Sequence, residues 1–228
     1  MLRTLGEQQR ELAVAHLCRV DRPLAALINK VGECRLGNNG QTDLFGTLTH
    51  AIISQQLSGK AATTIFSRFC ILLGAVDEKP QPAQLAGIDG QQLRAVGLSR
   101  AKSLAVQDLA DKIASGAVLP LADLETLPDE DIIQNLIQVR GIGRWTAEMF
   151  LMFQLGRADV LPVDDLGVRK GFMLTYGLSA MPDKKLLIEH AGSWQPYRSV
   201  ASWYLWRATE LPPCTVNVPP SQHQTHLA

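Results

Sequence analysis

Apolar residues recur at helical spacing along nearly the whole sequence, and this periodicity constrains the chain to an all-α fold. In the segment 42–57, for example, Leu44, Leu48 and Ile52 lie on one face of a helix. The same period predicts helices near the N-terminus, between Gly59 and Gly74, and over 100–116, 127–138, 144–155, 165–176, 183–191 and 197–210. No segment alternates convincingly as a half-buried strand would. We therefore expect about ten helices and no sheet.

The length and composition favour a folded chain of two small helical lobes with a cleft between them. The chain has 228 residues, 46% of them hydrophobic. We expect a central lobe over 35–160, a second lobe formed by 1–34 with 161–211, and a loosely ordered tail over 212–228. The proline-containing segment 77–87 should be a loop or a single turn.

Several classes of protein are excluded or disfavoured by the composition. No apolar run approaches the roughly 20 residues that span a bilayer, and the N-terminus lacks the pattern of a signal peptide. We therefore expect no membrane contact and a location in the cytoplasm (the nucleoid of a bacterium), or in the nucleus of a eukaryote. The formal net charge of +0 counts against nucleic-acid binding. Backbone amides and helix N-termini can nevertheless hold phosphate without a basic surface.

The four cysteines, at positions 18, 34, 70 and 214, form no CxxC pair and no metal-ligand pattern. We interpret them as small buried residues of a reduced protein. An iron–sulfur cluster needs clustered thiolates, so none is expected, and the sequence indicates no required cofactor.

The segment 136–153 contains a tight reversal between two helices, Val139-Arg140-Gly141-Ile142-Gly143. The glycines permit positive φ and close approach of a partner to the backbone, while Ile142 can pack into the core. Amides at the start of the next helix, around Arg144 and Thr146, would suit one DNA phosphate. Carbonyls of Val139 to Ile142 could also hold a monovalent cation, Na⁺ or K⁺. A plain turn between helices is the alternative.

Two carboxylates, Asp164 and Asp165, follow Pro162 at the predicted start of a helix. Both could be helix caps. One cap suffices, however, so the second needs another purpose. We predict that Asp164 helps to cap or orient the turn and that Asp165 points into the cleft.

The segments SQQLSGKAA (54–62), VRGIGRWTAEM (139–149), LPVDDLGVRKG (161–171) and PYRSVASWYLW (196–206) together resemble the helix-hairpin-helix glycosylase superfamily. The similarity is to its 3-methyladenine DNA glycosylase II branch, in a compact form without an N-terminal β-rich lobe. It implies an all-α, two-lobed monomer that flips an alkylated purine out of duplex DNA and hydrolyses its glycosidic bond. It also implies that Asp165 is the catalytic carboxylate.

The resemblance also implies a wedge that fills the gap left by the flipped nucleotide, which we place at Leu57 with Gln56 or Ser58 beside it. Burial of Leu57 within its own helix is the alternative. Bifunctional members carry a lysine where this chain has Trp145, and an indole cannot form a Schiff base. Hydrolysis without strand cleavage is therefore expected. Met149 stands where some members have an aromatic residue, which predicts a more open pocket.

A cationic alkylated base should stack on electron-rich rings, and Trp145 and Trp206 are the candidates, with ordinary core packing as the alternative. Arg198 could contact a phosphate or pair with an acid, and we favour the acid. Two other functions stay open. One is a helix-hairpin-helix protein that binds DNA structures without chemistry. The other is a glycosylase for another damaged base, such as an oxidised purine or uracil.

Overall fold

A computed structural model describes residues 5–37 and 43–212 of the chain, and all structural statements concern these residues. In this part of the chain the regular structure is entirely helical, which confirms the predicted all-α class. None of the described helices is both long and apolar enough to cross a membrane. The prediction for the tail falls almost wholly outside the described residues.

Twelve α-helices are described, and four shorter helical segments connect some of them. The α-helices are α1 (Glu7–Val20), α2 (Arg22–Val31), α3 (Leu44–Ser54), α4 (Gly59–Leu73), α5 (Gly90–Ala95), α6 (Arg100–Ala114), α7 (Leu121–Leu124), α8 (Asp129–Leu136), α9 (Arg144–Met149), α10 (Leu166–Tyr176), α11 (Lys184–His190) and α12 (Arg198–Ala208). The shorter segments are 3₁₀ turns at Val76–Glu78, Pro82–Leu85 and Ala191–Trp194 and a π-helical segment at Phe150–Gln154.

The chain divides into two compact units. Unit 1 comprises the described residues of Met1–Asn38 and Gly156–Ala228, and unit 2 those of Asn39–Leu155. The sequence placed these divisions near residues 35 and 160. Unit 1 therefore contains α1, α2 and α10 to α12, whereas unit 2 contains α3 to α9.

In unit 1, α10 and α12 lie so close together that a side chain between them has no room. A Cβ added at Gly171 would lie 1.9 Å from the backbone oxygen of Leu205. Next to them, Asp21 is 5% exposed and caps α2 through a hydrogen bond from the amide of Leu24. The large buried rings of Trp194 and Tyr204 complete this core.

In unit 2, the core forms around α3, whose inward face carries Phe45, Leu48, Ile52 and Ile53. This helix packs against α4 and α6. Its buried side chains help to hold the unit together, because each fully buried aliphatic side chain contributes about 1.5–3 kcal/mol.

The structure differs in three places from the local structure expected from the sequence. Helix α3 ends at Ser54 and not at residue 57, because Gln56 takes a left-handed backbone conformation with φ of 57°. The helix expected over 144–155 changes to π-helical geometry at Phe150. No helix was predicted for Gly90–Ala95, although Asp89 and Gln92 form a capping box at the start of the helix found there.

The described cysteines have no disulfide partner. Cys34 and Cys70 are buried, as expected, and burial raises the pKa of the Cys70 thiol to about 11. Cys18 is only partly buried, which differs from the expectation. Cys214 lies outside the described residues.

Candidate functional site

The segment between α8 and α9 is a tight hairpin, as the sequence predicted. The amide of Val139 donates to the carbonyl of Leu136 at 3.1 Å, and the amide of Ile142 donates to that of Val139 at 3.0 Å. Gly141 has φ of 79°, a conformation that disfavours any side chain, and its α-carbon faces Ala105 on α6. Ile142 is 4% exposed, so it packs into the core.

The hairpin leaves backbone donors available at the start of α9. The amides of Gly141, Gly143 and Arg144 donate no hydrogen bond to any residue that the structure describes. Such amides can bind an anion. The carbonyl of Gly141, in contrast, already accepts a hydrogen bond of 2.8 Å from Gln55 Nε2. A cation on the carbonyls of Val139 to Ile142 would share that oxygen with Gln55, and the cation stays a prediction.

The side chains of Arg144 and Thr146, two residues of the predicted DNA-binding set, are paired or buried. The guanidinium of Arg144 makes a two-fold contact with Glu130, at 3.0 and 2.7 Å, and a third with Glu148 at 3.2 Å. Hydrogen bonds from Arg144 lower the pKa of Glu130 to about 2. The side chain of Thr146 is buried, because the residue is 5% exposed. Any phosphate contact of these two residues therefore falls to the backbone.

The second predicted feature, the carboxylate of Asp165, is held rigidly inside unit 1. Asp165 is 9% exposed and stands at the N-cap of α10, where its Oδ1 accepts a hydrogen bond of 2.7 Å from the amide of Val168. The indole Nε1 of Trp206 donates to the same oxygen at 2.8 Å. Gly167 makes room for that indole, since a Cβ there would lie 2.8 Å from Trp206 Cδ1.

Of the two roles expected for Asp164, capping was wrong, because Asp165 occupies the N-cap position, and orienting the turn stays a prediction. Asp164 is exposed and forms an ion pair with Lys184 of α11. The two neighbours thus differ in their surroundings, and Asp165 is the buried one. Whether it performs chemistry stays a prediction.

Arg198 pairs with an acidic side chain, which is the partner that we favoured over a phosphate. Its guanidinium contacts both carboxylate oxygens of Asp159, at 2.7 and 2.8 Å, and its own amide donates to the same side chain. This pair fixes the start of α12, the helix that carries Trp206.

The turn between α3 and α4 presents the residues that we assigned to the wedge. Leu57 is 40% exposed and lies outside both helices, so the alternative of burial in its own helix was wrong. Ser58 caps α4 by accepting a hydrogen bond from the amide of Ala61. Lys102 of α6 donates to the carbonyls of Ile53 and Gln55 at 2.7 and 2.8 Å.

Unit 2 contains a cavity of about 880 Å³ between α3, α9 and the turn at Val76–Glu78. Trp145 and Met149 line it, and Trp145 is 45% exposed, so core packing does not account for its indole. Trp206 belongs to unit 1 and contacts Asp165 instead, and its role in base binding stays a prediction. The remaining walls combine aromatic and acidic side chains: Phe66, Phe150, Phe153, Asp43, Asp77 and Glu78.

The acidic and polar lining of this cavity was not predicted from the sequence. Thr47, His50 and Ser54 recur at intervals of three and four on the otherwise apolar α3. That polar stripe was the available signal. Burial raises the pKa of the Asp43 carboxyl and lowers that of the His50 imidazole, as expected for groups that line a partly closed pocket.

The glycine-cornered hairpin between α8 and α9 is a helix-hairpin-helix motif, so the chain is a helix-hairpin-helix protein. Residues 49–196 match the family described as HhH-GPD superfamily base excision DNA repair protein. This match covers more than half of the chain. The chain therefore belongs to the HhH-GPD superfamily, which confirms the resemblance seen in the sequence.

Similar proteins support the same branch. The chain is 35% identical, over 212 residues and 92% of both sequences, to DNA-3-methyladenine glycosylase 1 of Schizosaccharomyces pombe. A structure of the S. pombe 3-methyladenine DNA glycosylase in complex with abasic DNA matches with a TM-score of 0.79 and 34% identity, over 88% of this chain and 98% of that one. A DNA-3-methyladenine glycosidase from Bacillus halodurans matches with a TM-score of 0.77 and 38% identity, over 86% and 88% of the two chains.

Proposed function

We propose that this protein is a base excision repair glycosylase. It removes alkylated purines of the 3-methyladenine and 7-methylguanine type from duplex DNA by hydrolysis. The observation that carries this proposal is the pairing of family membership with a buried, immobilised aspartate at position 165. The similar S. pombe and B. halodurans proteins are named as 3-methyladenine DNA glycosylases or glycosidases.

Asp165 supplies the charge that the reaction needs. Breaking the bond between base and sugar gives the sugar oxocarbenium character, and a nearby carboxylate stabilises that positive charge. Because Val168 and Trp206 fix Asp165 before substrate arrives, little reorganisation is left for the moment of reaction. The carboxylate also orients or deprotonates the attacking water.

The cavity of unit 2 suits an alkylated base better than an ordinary one. Alkylation of a ring nitrogen makes a purine cationic and a good leaving group, so no strong general acid is required. The indole of Trp145 offers an electron-rich face to such a cation. The acidic residues that line the same cavity, Asp43, Asp77 and Glu78, outnumber its one lysine, Lys79. Met149, which is narrower than an aromatic ring, leaves the pocket open.

Hydrolysis without strand cleavage follows from Trp145. The bifunctional members that the sequence resembles use a lysine at this position, and an indole has no amine for a Schiff base. Water is therefore the nucleophile. No cofactor takes part in this scheme, although a Na⁺ or K⁺ ion at the hairpin carbonyls would strengthen the contact with phosphate.

DNA binding relies on few charges. The formal net charge is +0 and Arg144 is already paired, so the hairpin amides carry much of the contact with phosphate. The affinity should therefore fall with salt along a shallow slope, because few phosphates are neutralised. A monomer suits this task, since a single lesion has no two-fold symmetry. The protein acts where the DNA is, which is the nucleoid of a bacterium or the nucleus of a eukaryote.

One observation favours a second candidate, a protein that binds DNA structures without chemistry. Asp165 caps α10, so its burial and its hydrogen bond from Val168 have a purely structural explanation. In that case the family fold would serve recognition alone, and no base would be released.

A panel of damaged DNA substrates separates these candidates. The panel contains methylated DNA with 3-methyladenine and 7-methylguanine, and defined duplexes with 8-oxoguanine or uracil. The proposed function predicts release of the methylated purines. Release of 8-oxoguanine or uracil alone would indicate a different substrate class, and binding without any release would indicate the second candidate.

A further inference from the structure

Lys102 connects the proposed wedge to the rest of the fold. We propose that Lys102 and Gln55 are positioning residues that hold the turn Gln55–Ser58 at a fixed place relative to the hairpin. The flipping of a paired nucleotide depends on this arrangement. The inference rests on the proposed function and adds two residues that lie outside the predicted site.

The end of α3 is held by a side chain from another helix. The last carbonyls of a helix have no partner within it and carry partial negative charge. The ammonium of Lys102, from α6, donates to the carbonyls of Ile53 and Gln55 at 2.7 and 2.8 Å. These two bonds satisfy carbonyls that a longer helix would have bonded internally, at the point where the turn begins.

A second contact joins the turn directly to the hairpin. Gln55 Nε2 donates to the carbonyl of Gly141 at 2.8 Å, across 86 residues of sequence. The side chain of Gln55 thus links the turn that carries Leu57 to the hairpin that is proposed to bind phosphate, and so limits the distance between them.

Helix α6 contacts the hairpin as well as the turn. Asp108 Oδ2 accepts a hydrogen bond of 2.7 Å from the amide of Arg140, and the side chain of Ala105 lies against Gly141. Lys102 stands about one turn before Ala105 on the same helix. One rigid helix therefore fixes both features, so their separation does not depend on DNA being bound.

The turn needs this support because of its own conformation. Gln56 has φ of 57°, which is costly for a residue with a side chain, and the apolar side chain of Leu57 is 40% exposed. Without the bonds from Lys102 and Gln55, the backbone could relax and Leu57 could lower its exposure. The wedge would then enter the duplex less effectively.

Flipping provides a readout that a general loss of stability would not change. A paired nucleotide must be unstacked and unpaired at a cost of a few kcal/mol, whereas a bulged one is already destabilised. A well-placed wedge matters most where that cost is largest. We therefore expect damage to the turn to affect paired lesions much more than bulged ones.

The experiment uses two probes, 7-methylguanine opposite cytosine and 7-methylguanine in a single-nucleotide bulge. Single-turnover release is measured for the unaltered protein, for Lys102→Met, and for Gln55→Met, which removes one donor at the surface if Lys102→Met folds poorly. We expect release from the paired probe to fall on the order of tenfold or more, while release from the bulge stays within about threefold.

Arg100→Met is the matched control, because Arg100 is an exposed cation at the start of the same helix. It removes the same charge and should leave the ratio between the two probes unchanged. Equal losses on both probes, or no loss on either in both variants, would overturn the positioning role. If the unaltered protein releases neither probe, the proposed function itself is contradicted.

Discussion

Trp206 donates its indole N–H to Asp165 Oδ1 at 2.8 Å, and this oxygen is the one that also caps α10. The two donors approach the carboxylate from different helices. The side chain therefore keeps one orientation without help from substrate. Such preorganisation is what a group that stabilises a developing positive charge requires.

Replacing Trp206 tests this support. Trp206→Phe removes the indole N–H and keeps an aromatic ring, so Asp165 loses one of the two donors. We expect the rate of base release under single-turnover conditions to fall about tenfold, with DNA affinity nearly unchanged. Trp203→Phe, the same change on the same helix away from Asp165, is the control. An unchanged rate in Trp206→Phe would show that this hydrogen bond does not assist the reaction.

A substitution at Gly167 tests the same contact between Trp206 and Asp165 by crowding it. A Cβ at this position would lie 2.8 Å from Trp206 Cδ1 and 3.0 Å from Asp165 Oδ1, so Gly167→Ala must push the two apart. We expect a loss of base release on the order of tenfold, although alanine is the better helix former. Gly90→Ala, at a helix start with open space around it, should have no effect. Full activity in Gly167→Ala would mean that the site tolerates displacement.

The indole of Trp145 predicts chemistry without a covalent intermediate. Borohydride reduces a Schiff base between an enzyme amine and the sugar, and Trp145 supplies no amine. We expect no trapped DNA adduct on a denaturing gel, while a bifunctional glycosylase with a lysine gives one under the same conditions. An adduct with this protein would contradict the assignment of hydrolysis by water.

Asp21 is the group whose ionisation should control acid stability in unit 1. Burial alone would raise the pKa of Asp21. Hydrogen bonds from His190, Tyr176, Trp194 and the amide of Leu24 outweigh that effect and hold the pKa below its ordinary value. A lowered folded-state pKa stabilises the protein above the unfolded-state value, and this contribution is lost as the pH falls through the folded-state pKa.

Asp21→Asn should therefore lower the free energy of unfolding by about 2 kcal/mol or more at pH 7, because buried donors lose a charged acceptor. The difference from the unaltered protein should shrink below pH of about 3.9, the ordinary value for Asp. Denaturant unfolding between pH 3 and 7 measures both effects. A difference that is constant over this range would show that folding does not lower the pKa of Asp21.

The sequence predicted the hairpin and most of the helices because both depend on local signals. Gly141 and Gly143 fix the reversal, and the apolar period of each helix reports which face is buried. The start of α10 was also predicted, but the choice of capping residue was wrong. Asp164 and Asp165 are the same residue type, so the sequence does not distinguish them. The contact that distinguishes Asp165 comes from Trp206, on a helix about 40 residues away in the sequence.

The turn at Gln56 and the lining of the cavity could not be predicted from local sequence patterns. Lys102 of α6 binds carbonyls at the end of α3, and no pattern within 42–57 indicates a lysine on another helix. That Glu78 and Trp145 line one cavity depends in the same way on contacts between distant segments. Such contacts follow from tertiary structure and not from periodicity.

The central claim is that the charge of Asp165 drives base release, and Asp165→Asn tests it most directly. Asparagine caps a helix as well as aspartate does, so α10 and its contact with Val168 should survive. Asp183→Asn, which changes the cap of α11 in the same way, is the control. The measurement is single-turnover release of 7-methylguanine from a duplex, with DNA affinity determined alongside. We predict a loss of release of about a hundredfold or more with affinity retained. Release at the unaltered rate would contradict the claim.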